Sequence, residues 1–597
     1  MTVTVEKTTA YRSRVEQLWK LVGDTDRLNR AVGNLPVSFS PIQGIGAARF
    51  LGKTKLAGLS VEYEDLPSEW VEPKRIRMTR RMRNGPARLL VIEYEFAPQG
   101  EGSQLVIRLS LEPRYGILTP FLRRSLRLAA DDLARAIGLM DAAVIAGEPY
   151  PPIPPTNPVN RQALERAESN LRAAGGGDLG ERLVKHVREG EDIDLARIRP
   201  FELADAWAVD RLELLEAMLR GVRAGLLNLR WEAVCPSCQQ ATTSVPSLAE
   251  IAEHGACHLC DIAFRVDLDE ALEATFRPTP GVRASDADRP YCIGGPCRVP
   301  HVLSQAILPS RGQAAVEAPD AEGSFRLFVR GGFSAQVEVK GEHAETASVE
   351  AHGPGEGARI NIRPRGAIQV SSGFDEDRHV KLERLVYGLQ AATARIVTAI
   401  PGFRRDFSSD TLRPGTSLQI SKVTLLFSDL TASTQLYSTV GDAAAFRLVQ
   451  EHFEVVIGII EANKGSLVKT IGDAVMAVFV RELDAVKASR AILEAFEPFR
   501  SGHPHRQMTH IKIGLYSGPC YAVTANNLLD YFGQTVNIAA RLQAQAESGE
   551  IVLEASLCDH AMHEGLLPES WVAARYDAQL KGVDGTVPVV RVRRPAA

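Results

Sequence analysis

The sequence predicts a multidomain α+β protein, and three observations carry that reading. The chain has 597 residues, more than one hydrophobic core of about 250–300 residues accommodates. Its apolar patterning switches repeatedly between the helical period and the period of two that marks strands. Between these stretches lie two closely spaced cysteine pairs, Cys235/Cys238 and Cys257/Cys260. Hydrophobic content of 45% and charged content of 24% are those of ordinary globular chains. A formal net charge of -4 gives no overall pull toward nucleic acid or an anionic membrane. The first residues, MTVTVEKTTAYRSR, contain no apolar signal core. No stretch approaches the roughly 18–20 apolar residues of a membrane span. The expectation is therefore a cytoplasmic protein with no membrane partner.

Residues 1–147 open with a strand-like TVTVEK and a short helical pattern at Val15, Leu18 and Leu21. Alternating runs LLVIEYEF and QLVIRLSLEP follow, then a long amphipathic helix with Leu122, Leu126, Ala129, Leu133, Ile137, Met140 and Val144 on its apolar side. That order of elements resembles the helix-grip fold of the START/polyketide-cyclase-like superfamily. The resemblance implies a small apolar ligand held between sheet and closing helix; the residues read equally well as a packed domain without one. The proline-rich segment 148–160 is a linker, its prolines fixing φ and removing donors.

Residues 161–305 begin as helices, and PFELADAWAVDRLELLEAMLRGVRAGLLNLRW gives two helices running into a strand, a winged-helix-like outline. Its acidic and basic residues nearly cancel, whereas a DNA-reading helix carries a basic face, so nucleic acid is not expected as a partner. Eighteen residues separate the two CxxC pairs. Each pair puts two thiolates on a tight turn, and Cys235, Cys238, Cys257 and Cys260 together suit a closed, tetrahedral, structural zinc site of the ribbon kind. Cys292 and Cys297, with His301 nearby, allow a second, incomplete site but read more simply as buried cysteines, as do Cys520 and Cys558. Residues 306–374 alternate at Phe325, Leu327 and Val329, at Ala335, Val337 and Val339, and at Ile360 and Ile362, which predicts a small β-sandwich. Residues 375–420 are expected to form a connecting helix over Asp375 to Ile400, with Leu382, Leu385, Leu389, Ala392, Ile396 and Ala399 as its seam, and then a linker.

The last part of the chain, 421–597, carries the chemistry. The apolar run Val423–Phe427 is a buried strand that delivers Asp429 at its end. TASTQ follows, offering Thr431, Ser433 and Thr434 where a helix begins and its N–H groups face outward. LVKTIGDAVMAVF is a hairpin with Asp473 at its tip. Two carboxylates so placed can hold two divalent ions. In LLDYFGQTVNIAARL, Asn537 and Arg541 are four apart on a helix and share a face. An amide and a guanidinium aimed at one point suit a phosphate carrying developing negative charge.

In combination, FSDL, KTIGDAVMAVF and DYFGQTVNIAAR resemble the class III adenylyl/guanylyl cyclase catalytic domain, over about Lys422 to Arg593. That resemblance implies a ferredoxin-like βαββαβ core and a homodimer with its active sites at the interface. It implies metal binding by Asp429, Asp473 and the Leu430 carbonyl, with two Mg²⁺ or Mn²⁺ ions per site. Lys469 and Asp530 would read the base; Phe427, Thr431, Ser433 and Thr434 would line the substrate. Asn537 and Arg541 would stabilise the transition state, and Lys581 would contact the triphosphate. Adenine offers an acceptor at N1 and a donor at N6, which a lysine and an aspartate complement; guanine reverses both. ATP, converted to cyclic AMP, is thus the expected substrate. The alternatives are guanylate cyclase activity and an inactive nucleotide-sensing module. The GG[DE]EF signature of diguanylate cyclases is absent.

Overall fold

Buried and half-buried side chains alternate along Gly102–Leu109 of the strand Gly102–Pro113, which pairs with Val3–Tyr11 on one side and Ala87–Gln99 on the other, all antiparallel. The computed structural model describes every residue except Met1, 43–45, 47, 57–58, 148–156, 286–289, 386–389, 432, 503–505, 508 and 596–597. Most of the proline-rich segment 148–160 thus lies outside the described residues. The long helix Thr119–Ala146 buries Leu126, Ala130, Ala134, Ile137 and Met140 against this sheet. Its Asp141 accepts hydrogen bonds from the backbone N–H groups of Arg12 and Ser13, both at 3.0 Å, which ties the helix to the end of the first strand.

The sheet continues through Arg75–Met82 and Glu69–Val71 into Val302–Leu308, Arg378–Arg384, Gly323–Val329 and Phe333–Val339. Trp70 opposite Gln305 makes the junction, and the Trp70 indole N–H donates to the Val302 carbonyl at 2.9 Å. A second sheet, Gln313–Glu317, Ala367–Ser372 and Thr346–Ala351, shares a core with this half through Leu327, Val337, Ile368 and Val370.

One expectation is overturned here. The segment 375–400 holds the strand Arg378–Arg384 and the short helix Ala394–Val397, with 386–389 outside the described residues. A three-and-four spacing of leucines was the helical signal. Arg378–Arg384 instead lies between two strands of the sheet, with Val380 and Leu382 on one face and His379, Lys381 and Glu383 buried on the other; the sequence carries that alternation, but the spacing of Leu382, Leu385 and Leu389 fits a helix as well.

The middle region packs helices Arg161–Ala173, Gly177–Glu189, Pro200–Trp207 and Arg211–Arg223 on a three-stranded sheet centred on Leu227–Val234. The C-terminal domain is an eight-stranded mixed sheet. Its order is Gly465–Ile471, Ala474–Phe479, Ser417–Thr431, His510–Ala525, Glu550–Glu554, Thr586–Arg593 and Val572–Gln579, with Leu528–Phe532 paired to His510–Ala525. The first four of these, with helices Asp442–Ala462 and Glu482–Ser501, form the βαββαβ arrangement. Helices Asp442–Ala462, Glu482–Ser501 and Ala555–His563 cover one face of the sheet. The other face places Leu425, Phe427, Met476, Val478 and Tyr531 in one continuous core with Met218, Trp231, Val397 and Phe403 from upstream.

Candidate active site

The strand Ser417–Thr431 and the hairpin Gly465–Phe479 bring Asp429 and Asp473 together. Their antiparallel register pairs Ser428 with Val475 and, continued by two residues, sets the hairpin tip beside Asp429 and Leu430. Gly472 turns the tip with φ +66°, a conformation that glycine adopts without strain. Both carboxylates act electrostatically on the same buried imidazole, His452, whose pKa burial holds below its usual value while the two acids and a bond to the Val449 carbonyl oppose that shift.

The two acids differ in their partners. Asp429 Oδ2 accepts from Lys512 Nζ at 2.9 Å and from Gln543 Nε2 at 3.3 Å. Asp473 Oδ2 is buried without any hydrogen-bond partner. A buried carboxylate oxygen left unpaired costs free energy unless something cationic meets it. That orphaned oxygen and the hard-oxygen donor set therefore fit a divalent cation. Lys512 was not foreseen from the sequence. It sits between Ile511 and Ile513 on a strand, and only the register pairing it with Asp429 gives it a role.

Lys469 and Asp530 lie 61 positions apart in sequence yet form an ion pair at 2.5 Å, Nζ to Oδ2. Asp530 is mostly buried and Lys469 is partly exposed, so the pair stands at the edge of the space it faces. Phe427 is buried in the sheet core, two residues before Asp429 and on the same face of the strand. Thr431 Oγ1 donates to the His510 carbonyl at 3.3 Å and lies 3.0 Å from Ser548 Oγ. A helix begins at Ser433, but the side chains of Ser433 and Thr434 lie outside the described residues.

The helix Gln534–Gln545 crosses the strand His510–Ala525 at Gly514, where a Cβ would fall 2.1 Å from the Gln543 backbone nitrogen. That close approach carries Gln543 to Asp429. Arg541 points elsewhere: two positions along a helix is about 200° around its axis. Its guanidinium instead lies 3.8 Å from the position a Cβ on Gly582 would take, beside exposed Lys581. Asn537 is exposed one turn earlier on the same face. A single chain therefore turns Gln543 toward Asp429, and Asn537 and Arg541 toward another side of the same helix.

Outside this domain, Cys235, Cys238, Cys257 and Cys260 are all buried with their Sγ atoms within 4.8 Å of one another. Such a group could hold a metal ion with no open position. Lys381 Nζ lies 3.4 Å from Cys260 Sγ, and the Ser237 N–H lies 3.4 Å from Cys235 Sγ. Cys292, Cys297 and His301 do not converge: they contact the carbonyls of Gly294, Lys20 and Ser237 respectively.

Residues 416–587 match the family described as the adenylate and guanylate cyclase catalytic domain. Residues 162–294 match a family of unknown function (DUF5939). An uncharacterized protein of Mycobacterium tuberculosis, Rv2212, is 33% identical over 163 residues, 27% of this chain and 38% of that protein. The Caenorhabditis elegans receptor-type guanylate cyclase gcy-13 is 27% identical over 165 residues, 25% of this chain and 16% of its own length. Among solved structures, the adenylyl cyclase CyaB of Pseudomonas aeruginosa is 21% identical, covering 30% of this chain and 97% of that one, with a TM-score of 0.26. The chain thus spans well under half the length of the curated relatives it matches. Among the described residues, no helix is long and apolar enough to cross a membrane.

Proposed function

Residues 416–587 belong to the adenylyl and guanylyl cyclase catalytic family, and from that premise we propose that the protein converts ATP to 3′,5′-cyclic AMP and pyrophosphate at a site shared by two copies of the chain. The observation that carries the choice of nucleotide is the Lys469–Asp530 pair at 2.5 Å. One ammonium donor and one carboxylate acceptor, at one edge, complement adenine N1 and the N6 amino group; guanine would leave both protein groups facing their own kind. Each buried polar group left unpaired costs about 1–3 kcal/mol, so the pair discriminates strongly.

In the reaction the ribose 3′-oxygen bonds to the α-phosphorus, and the bond from that phosphorus to the bridging oxygen breaks, releasing pyrophosphate. Asp429, Asp473 and the Leu430 carbonyl would hold Mg²⁺ or Mn²⁺ ions, which when bound lower the pKa of the attacking hydroxyl and offset phosphate charge. For that, Asp429 must exchange its contact with Lys512 for the cation. Asn537 and Arg541 donate to the phosphoryl oxygens as charge builds on them, and Lys581 holds the triphosphate. Because one chain turns Asn537 and Arg541 away from its own acids, each site takes the acids of one copy and the amide and guanidinium of the other. A two-fold homodimer with two equivalent sites satisfies both copies. The four-cysteine cluster holds zinc in a structural role.

The test is direct. Purified protein is incubated with ATP or GTP and with Mg²⁺ or Mn²⁺, and the products are identified by mass. Cyclic AMP is expected from wild type, with weakened ATP preference in Lys469→Glu. Predominant cyclic GMP would overturn the substrate, and no cyclic product under any condition would overturn the activity. Mixing Asp473→Ala chains with Asn537→Ala chains should restore about a quarter of wild-type activity, since half the dimers are mixed and each has one intact site. Mixtures as inactive as their components would overturn the shared site.

A further inference from the structure

The two strands that carry Lys469 and Asp530 are gripped by one short upstream segment, Thr398–Asp406. Ser466, three residues before Lys469, donates from Oγ to the Ala399 carbonyl at 2.7 Å. On the other strand Arg404 donates from Nη1 to the Leu529 carbonyl at 3.0 Å, and its guanidinium lies 5.0 Å from the centre of the Tyr531 ring. Leu529 and Tyr531 are the two neighbours of Asp530. Arg404 is itself braced by its Nε donating to the Thr398 carbonyl at 2.9 Å.

The far side of this segment is anchored in the middle region. The Gly402 N–H donates to Glu216 Oε1 at 2.9 Å, and Arg223 pairs with Asp406 at 2.9 Å. Buried Phe403 stacks on Phe407 with ring centres 5.6 Å apart and meets Trp231 edge-on at 5.8 Å. The Trp231 indole donates to Asp410 at 2.8 Å.

We propose that Arg404 is a positioning residue for nucleobase selection: the segment Thr398–Asp406 sets the spacing of Lys469 and Asp530, and the middle region acts on nucleotide choice through it. This rests on the reading that Lys469 and Asp530 take the base. Side chains that select by hydrogen bonding must be held to within about 0.5 Å, and a strand pinned at both neighbours of Asp530 achieves that. A shift of the middle region that moved Phe403 or Gly402 would reach Asp530 through Arg404 and Lys469 through Ala399 and Ser466.

The experiment compares full-length wild type, Arg404→Ala, Arg404→Lys and Ser466→Ala by kcat/KM for ATP and for GTP. Arg404→Ala is expected to lower the ATP-to-GTP ratio about tenfold, chiefly through the KM for ATP, the size expected when one charged hydrogen bond no longer holds its acceptor. Arg404→Lys, which keeps the charge and a donor, should recover part of the ratio. Ser466→Ala removes a single neutral bond and should lower the ratio about threefold; it serves if the arginine variants do not fold. Equal loss of ATP and GTP turnover with the ratio unchanged in all three variants would overturn the positioning role. A wild-type protein that turns over neither nucleotide would overturn the reading beneath it, and this inference with it.

Discussion

The four cysteines of the middle region and the two aspartates of the C-terminal domain are both sets of candidate metal ligands, and the chain treats them in opposite ways. The cysteines close on one another: all four are buried, within 4.8 Å, with Lys381 and a backbone N–H already facing their sulfurs. Everything that site needs lies in one chain. At the aspartates, Asp473 keeps a buried oxygen with no partner, Asp429 is held by Lys512, and Asn537 and Arg541 face the other way. A site complete within the chain serves the fold. One left incomplete at a cost in stability leaves room for chemistry, and under the proposed function its missing partners are a cation, a nucleotide and a second copy.

Exchanging the outcomes of mutation at the two sites would break that comparison most decisively. Asp429→Ala and Asp473→Ala are expected to lower turnover by at least about 10³-fold, roughly 4 kcal/mol of transition-state stabilisation, with the unfolding midpoint held or raised. Calorimetry beside the rate assay checks both halves. Cys260→Ser should do the reverse in character. Bound zinc, measured by elemental analysis, falls from one per chain, and stability falls by more than about 3 kcal/mol as the closed site opens. A stable, metal-free Cys260→Ser protein would remove the structural role.

Acid sharpens the comparison from the side of the middle region. His186 has its pKa lowered, first by burial and also by Arg283, while Asp194 opposes the shift. The fold therefore favours the neutral ring. Its contribution to stability is complete above the unfolded-state value near about 6.5 and is lost as pH falls through the lowered folded value. Unfolding free energy followed from pH 7 downward should decline in that window, and His186→Gln should flatten the slope. The smallest effect is expected at Lys512. Replacing it with methionine removes a competitor for Asp429, and the half-saturating Mg²⁺ concentration should drop about threefold, as suits a partly exposed ion pair. A rise instead would mean that Lys512 helps the bound state.

Legibility followed how local each feature is. The CxxC pairs, the hairpin with Asp473 at its tip, and Asn537 four residues before Arg541 were readable because each spans a few residues of one element. The pairing of Lys469 with Asp530 followed from family resemblance, and the geometry at 2.5 Å adds what no spacing could supply. The strand Arg378–Arg384 reads as part of a helix because the spacing of Leu382, Leu385 and Leu389 competes with the short polar–apolar alternation of the strand itself. Lys512 looked like an ordinary charge on a strand until register placed it opposite Asp429. The sheet that joins residues 3–113 to residues 302–384 crosses an expected domain boundary, and Trp70 against Gln305 is a long-range pairing that no local pattern announces.

The sequence by itself determined the ligand types, the carboxylate positions and the shared face of Asn537 and Arg541, since these depend on side-chain chemistry and on the fixed periods of helix and strand. Only the tertiary structure decided which side of the helix Gln534–Gln545 meets Asp429, which cation holds that acid, and which segment braces both strands that carry Lys469 and Asp530. Those outcomes are set by strand register and by packing between residues far apart in the chain, where many pairings satisfy the same local pattern and the burial of the whole selects one.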